Sequence, residues 1–358
     1  MKNNFPKSWA EIRLDLISKN IEAVKSQHSG KKLLAVVKCD AYSHGAVQVA
    51  RHIEEDVDWF GLATVDEGIE LRMAGIKKPI LIFAVPTAET AAAYVTHNLD
   101  ATVSSKVHFS ILMDGTSYQI NFDTGMNRLG FKPEEAEEVR SLAVANQRLI
   151  CSGIYSHYAT ADDPGSDFVY EQQDRFNELS KYFSEVPLLH MSNSGAVTHY
   201  PDLNHFDMVR CGLNLYGYCA GKVQVDIYEP TLEWKTNLVQ VRPIRKGEGV
   251  SYGGYWSAPE DGYLGTIEVG YGDGLPRSLT NKLEVLIEGE RFPLAGNVTM
   301  DYVMVYLKQK KFKPETEVLL LGKKGAGAAE WAELAGTNVH EILTNIRSSV
   351  ERRYLKKD

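Results

Sequence analysis

Several signals are missing from this chain, and each absence narrows what it can be. Its four cysteines (Cys39, Cys151, Cys211 and Cys219) form no CxxC pair and no dense Cys/His cluster, so no metal site is expected. There is no basic block: 39 Lys+Arg stand against 47 Asp+Glu, a net charge of −8, which argues against nucleic-acid phosphates and anionic lipid as partners. The longest purely apolar runs, such as LLAVV at 33–37, fall far short of the about 20 residues a bilayer span needs. The first residues, MKNNFPKSWAEI, lack the apolar stretch of a secretory signal. No repeat, low-complexity tract or Gly/Ser linker is present. What is there is 358 residues, 44% hydrophobic and 24% charged, the mixture of a globular protein of about two domains. A core of that size folds without disulfides or metals. The expectation is a cytoplasmic enzyme.

The first two-thirds alternates short apolar runs with amphipathic stretches. Candidate strands are LLAVVK (33–38), WFGLAT (59–64), PILIFA (79–84), ATVSS (101–105), YQINFD (118–123), ICSGIYSHY (150–158), PLLHMSN (187–193) and FDMVRCGLNLYG (206–217). Helix-like segments such as AVQVARHIEE and PEEAEEVRSLAVAN lie between them. Apolar strands alternating with helices indicate a parallel sheet covered by helices. The reading is an α/β fold, a (β/α)8 TIM-type barrel over residues 1–230, with an open doubly wound sheet as the alternative because pattern alone does not show closure. Beyond that point EWKTNLVQVRPI, YLGTIEVGYG, LEVLIEGERFPL, YVMVYL and EVLLLG are β-rich, predicting a mainly β C-terminal domain over 231–358.

Five apolar residues lead directly into Lys38, followed by CDAYSHG. In a parallel barrel the strand C-terminal ends converge on the active site. A lysine in that apolar mouth loses proton affinity by desolvation and becomes a nucleophile able to form a Schiff base. Taken alone, the motif also fits a strand-end lysine reaching into solvent.

LLAVVKCDAYSHG resembles the pyridoxal-phosphate signature of the alanine racemase family, usually AVVKANAYGHG. The similarity continues in order through DTGMNRLG (123–130), SHYATAD (156–162), SNS (192–194), RCGLNLYG (210–217), GVSYGGYW (249–256), VGYGDGLPR (269–277) and NVTMD (297–301). The resemblance implies a pyridoxal 5'-phosphate enzyme, a barrel followed by a β domain, working as a homodimer on a small amino acid. Lys38 would hold the cofactor and serve as one Cα base, with Tyr252 of the neighbouring subunit as the other. A free tyrosine ionises near pH ~10, so it needs a polar or cationic neighbour; His157 matches that partner. Arg210 would face the cofactor's ring nitrogen. A guanidinium offers only donors and leaves that nitrogen unprotonated, whereas related barrel decarboxylases place a carboxylate there. Arg128 would hold the substrate carboxylate, helped by the backbone N–H of Met300. Tyr42, Ser194, Gly212 and Leu213 would bind the cofactor phosphate.

Two positions depart from the family pattern. Asn121 stands where many members carry a carbamylated lysine that orients the substrate arginine, so Arg128 must be held by the asparagine amide, a bound anion or otherwise. His340, in TNVHE (337–341), stands where a tyrosine usually binds the phosphate and narrows the pocket. The leading expectation is alanine racemisation supplying D-alanine for peptidoglycan. The alternatives are a serine or broad-specificity racemase, suggested by His340, a barrel amino-acid decarboxylase, and a non-catalytic pyridoxal-phosphate-binding protein.

Overall fold

The computed structural model describes residues 7–221, 223–323 and 327–356. The chain divides into two compact units, one of residues 17–41 and 45–228, the other of residues 1–16, 42–44 and 229–358. After a first strand β1 (Ser8–Arg13), eight parallel strands follow: β2 (Lys32–Val36), β3 (Trp59–Leu62), β4 (Ile80–Ile82), β5 (Ala101–Val103), β6 (Ser117–Asn121), β7 (Ile150–Tyr155), β8 (Leu189–His190) and β9 (Met208–Cys211). Each coincides with one of the apolar runs read from the sequence. β3 and β9 are buried at every residue, because helices cover one face and the other strands the other.

Strand order settles barrel against open sheet. A doubly wound sheet reverses its order at a switch point, whereas here the order runs β4-β3-β2-β9-β8-β7-β6-β5 without reversal. The two ends are tied as well: Leu81 pairs in parallel with Asp100, whose carbonyl accepts from Ile82 N–H at 3.0 Å and whose N–H donates to Ile80 at 2.8 Å. The sheet is a closed, barrel-like ring.

The other unit is antiparallel. It contains β10 (Leu232–Ile244), β11 (Gly249–Val250), β12 (Trp256–Ser257), β13 (Gly262–Ile267), β14 (Glu284–Ile287), β15 (Glu290–Ala295), β16 (Val303–Tyr306), β17 (Glu317–Leu321) and β18 (Glu351–Leu355). Eight strands form one sheet in the order β13-β16-β15-β14-β17-β10-β1-β18, with β10 also pairing β13. In the first half of β10 buried and half-buried residues alternate, as expected when one face packs on a core. Strand β1, which the sequence division at residue 230 grouped with the barrel, belongs to this unit: it pairs antiparallel with β10 and parallel with β18. Lys235 on β10 reaches Glu11 on β1 at 2.7 Å, a cross-strand ion pair.

Candidate active site

β2 delivers the chain to Lys38, the first residue of a six-residue helical turn, Lys38–Ser43. The turn is left-handed: φ is 54° at Cys39, 53° at Asp40, 52° at Ala41, 53° at Tyr42 and 65° at Ser43. For L-residues that conformation costs about 1–2 kcal/mol each. Hydrogen bonds to side chains hold it. Glu67 Oε1 accepts from Cys39 N–H at 2.6 Å, and Asp40 Oδ1 accepts from Ala46 N–H at 2.7 Å. The other oxygen of Glu67 accepts from Ala63 and Thr64, within a Thr64/Glu67 capping box at the start of helix Val65–Met73. One carboxylate thus joins the end of β3 to the lysine turn. The Lys38 amine lies 5.9 Å from the centroid of the Phe83 ring. Burial lowers its pKa; Cys39 and Glu67 oppose the shift and Arg128 reinforces it.

Arg210 sits on β9, opposite Leu34 of β2, and is almost fully buried. Its Nη2 donates to the carbonyls of Ser156 at 2.8 Å and Met191 at 3.0 Å and meets His157 Nδ1 at 3.1 Å; its Nη1 meets His190 Nδ1 at 2.7 Å. Among the described residues its Nε–H has no protein acceptor. Burial pushes its pKa down to about 10, which leaves it charged at neutral pH. Its electrostatic neighbours are Tyr155, Tyr158, Arg128 and Cys211, with no carboxylate among them.

His157 follows β7. Because Arg210 only donates, His157 Nδ1 is its lone-pair side and the ring proton resides on Nε2. Asn193 Nδ2, 3.3 Å from Nε2, is itself a donor, since Asn193 Oδ1 is committed to Ala196 N–H at 3.0 Å. The Nε2–H therefore finds no acceptor in Asn193. Burial first, then Arg210, Arg128 and Lys38, holds the imidazole well below its usual pKa, so it is neutral.

Arg128 lies exposed in the loop after β6. Asp123 organises that loop, accepting from Gly125 and Asn127 N–H at 3.1 and 2.9 Å and from Lys132 Nζ at 2.7 Å. Gly130 closes it at φ +123°, where a Cβ would lie 2.6 Å from Asp123 N. Asn121 is buried and directs its amide to the Tyr155 carbonyl at 3.5 Å. Arg128 makes no hydrogen bond to it among the described residues.

Ser194 opens a short helix (Ser194–His199) capped by Asn193, and its hydroxyl accepts from Gly212 N–H at 2.9 Å. Two of the expected phosphate donors thus meet, with Leu213 next in the chain. In the β unit, the rings of Tyr42 and His340 are 5.8 Å apart, which brings together two further expected phosphate residues. Tyr252 is 77% exposed and Met300 54%. In the Tyr252 loop Asn297 Nδ2 donates to the Tyr252 carbonyl at 2.7 Å, and Gly253 has φ +76°, where a Cβ would strike the Tyr255 ring. The barrel unit therefore gathers Lys38, Arg128, His157, Arg210, Ser194, Gly212 and Leu213, and the β unit carries Tyr42, Tyr252, Met300 and His340.

A neutralisable amine, a donor-only guanidinium and a hydroxyl beside a backbone N–H suit an anion bearing a carbonyl. Sequence reasoning missed Glu67, Gln119, Tyr155 and His190. The last three are polar side chains within otherwise apolar strands, which was the available signal.

Residues 12–220 match the family model "Alanine racemase, N-terminal domain" and residues 231–354 match "Alanine racemase, C-terminal domain". An alanine racemase of Nostoc sp. is 38% identical, over 97% of this chain and 95% of that protein. One from Carboxydothermus hydrogenoformans is 36% identical, over 97% and 99%. Among solved structures, alanine racemase from a D-cycloserine-producing Streptomyces lavendulae superposes with a TM-score of 0.91 at 30% identity, covering 99% of this chain and 98% of that one. The enzyme of Clostridium difficile 630 superposes with a TM-score of 0.93 at 31% identity, covering 99% and 97%.

Proposed function

The chain belongs to the alanine racemase family and is an amino-acid racemase, and from that premise we propose that it interconverts L-alanine and D-alanine with pyridoxal 5'-phosphate. When bound, the cofactor supplies a carbonyl for the substrate amine and a conjugated ring that stabilises negative charge at Cα. The observation that carries this reading is the desolvated Lys38 amine in a mouth it shares with Arg128, Arg210 and neutral His157.

Inversion requires a base on each face of Cα, one removing a proton and the other returning a different one. Lys38 would hold the cofactor through its amine at rest and, when free of it, would move the proton on one face. Tyr252 Oη does so on the other. His157 donates its Nε2–H to that phenolic oxygen and so favours its deprotonated form. Arg210, whose Nε–H has no protein acceptor among the described residues, would meet the cofactor's ring nitrogen as a donor-only group, leaving that nitrogen unprotonated and disfavouring transfer of the amino group. Arg128 grips the substrate carboxylate with its planar fork, and the Met300 N–H adds to it. Ser194, Gly212, Leu213, Tyr42 and His340 would hold the phosphate.

Exposed Tyr252, Tyr255, Met300 and Tyr302 (77%, 82%, 54% and 44%) support a homodimer in which a second copy covers them and each site takes Tyr252 and Met300 from its neighbour. The D-alanine formed in the cytoplasm would feed peptidoglycan synthesis. The test is Cα proton exchange and racemisation in Lys38→Ala and Tyr252→Phe. Each is expected to fall by about 10²–10⁴-fold, and undiminished racemisation in either removes that residue from the mechanism. L-serine is assayed beside L-alanine, because the imidazole of His340 leaves more room than a phenol would. Preference for L-serine would replace the alanine reading by a serine or broad-specificity one.

A further inference from the structure

Behind Arg210 lies a chain of buried polar groups that the mechanism above does not use. Arg210 Nη1 is 2.7 Å from His190 Nδ1, and His190 Nε2 is 2.6 Å from Gln119 Oε1. His190 and Gln119 are fully buried, and the Tyr155 ring stacks on the imidazole at 5.1 Å and 3°. Tyr155 is itself fixed by Thr102 at 2.9 Å.

Donor and acceptor roles follow from one fact. A guanidinium has five donors and no acceptor, so His190 Nδ1 carries no proton and the ring hydrogen is on Nε2. That hydrogen faces Gln119 Oε1. The amide cannot be turned round, because its NH2 would then confront the Nε2–H. In this orientation Gln119 Nε2 is buried without a partner, which carries an uncompensated desolvation cost. An apolar residue would avoid that cost, so the oxygen is the useful end of the side chain.

We propose that Gln119 and His190 are positioning residues for Arg210: the uncharged amide fixes His190 as the neutral Nε2–H tautomer, and the free Nδ1 lone pair aims the guanidinium. The proposal rests on the reading of Arg210 as the partner of the cofactor's ring nitrogen. Neutrality at position 119 is the essential property. A carboxylate of the same shape would favour the imidazolium, both ring nitrogens would carry hydrogens, and Nδ1–H would oppose Nη1–H. Nη2 is already committed to Ser156, Met191 and His157, so loss of the Nη1 contact lets the fork rotate about that anchor and moves Nε–H off its line. The charged and titratable groups facing His190 are Arg210 and the Tyr155 ring. Burial and Arg210 together keep its pKa well below the usual value, in agreement with a neutral ring.

The test compares the full-length, cofactor-loaded protein with Gln119→Glu and Gln119→Met. Side-chain 15N resonances of His190 report the tautomer directly, whatever the reaction catalysed. The expected result is a neutral Nε2–H pattern in the parent and an imidazolium pattern in Gln119→Glu at neutral pH. The ratio of racemisation to amino-group transfer should fall about tenfold or more in Gln119→Glu, read as a matching rise in pyruvate formed per turnover of L-alanine, and should fall less in Gln119→Met. His190→Asn, whose Oδ1 replaces the Nδ1 acceptor, should keep that ratio, whereas His190→Leu should not. An Nδ1–H tautomer in the parent, or an unchanged ratio in Gln119→Glu, would overturn the proposal. A parent with the expected tautomer but without racemase activity would overturn the functional reading and leave the positioning role of His190 intact.

Discussion

Single buried groups have strongly shifted proton affinities in this structure. Asp100, at the seam where the barrel closes, is buried, and Ser152 Oγ donates to its carboxylate. Burial pushes its pKa up to about 6, against the opposing influence of Ser152 and Arg72. A carboxyl that binds its proton more tightly when folded stabilises the fold at low pH. That contribution is lost as pH rises from the unfolded value near ~4 through the folded one. Asp100→Asn keeps the shape and an acceptor for Ser152 but removes the charge. Urea unfolding should show it more stable than the parent by up to about 2–3 kcal/mol at pH ~8, with the difference vanishing near pH ~4. Among residues, Lys38 was legible as a candidate because an apolar run ends at it, and Arg210 because of its RCGLNLYG motif. Gln119 and His190 were not, since their meaning comes from a pairing across strands far apart in sequence.

At the scale of elements, the eight barrel strands were legible because burial on both faces demands unbroken apolar runs. The left-handed turn after Lys38 was hidden. KCDAYS contains no glycine, and nothing in its composition signals five successive residues at positive φ. β1 and β18 were missed for a related reason: SWAEIR and ERRYL mix charge with apolar residues and read as polar segments. The strained turn persists because Glu67 accepts from its Cys39 amide and Asp40 ties it to the Ala46 amide that follows. Removing Glu67 leaves the N–H groups of Cys39, Ala63 and Thr64 without that acceptor. Glu67→Ala should cost about 2–3 kcal/mol in urea unfolding and speed hydrogen exchange at the Cys39 amide. Glu67→Gln, which keeps one acceptor, should fall between. Unchanged exchange at Cys39 would show that other contacts hold the turn.

At the scale of the whole molecule, the residues proposed for the chemistry are divided between two units: the barrel carries the amine, the guanidinia and His157, and the β unit carries the exposed Tyr252. Among the described residues no helix is long and apolar enough to cross a membrane. Family and architecture were legible in the ordered motifs, because those motifs contain the residues around which the two units are built. The central claim is that each reaction centre takes its amine from one chain and its phenol from another. Co-expression of Lys38→Ala and Tyr252→Phe chains with different affinity tags tests it most directly. In a mixed dimer one site loses both bases and the other keeps both. The isolated mixed dimer should therefore regain about half the parent's racemase activity, although each homodimer is inactive. Absence of any recovery in the mixed dimer would contradict the account.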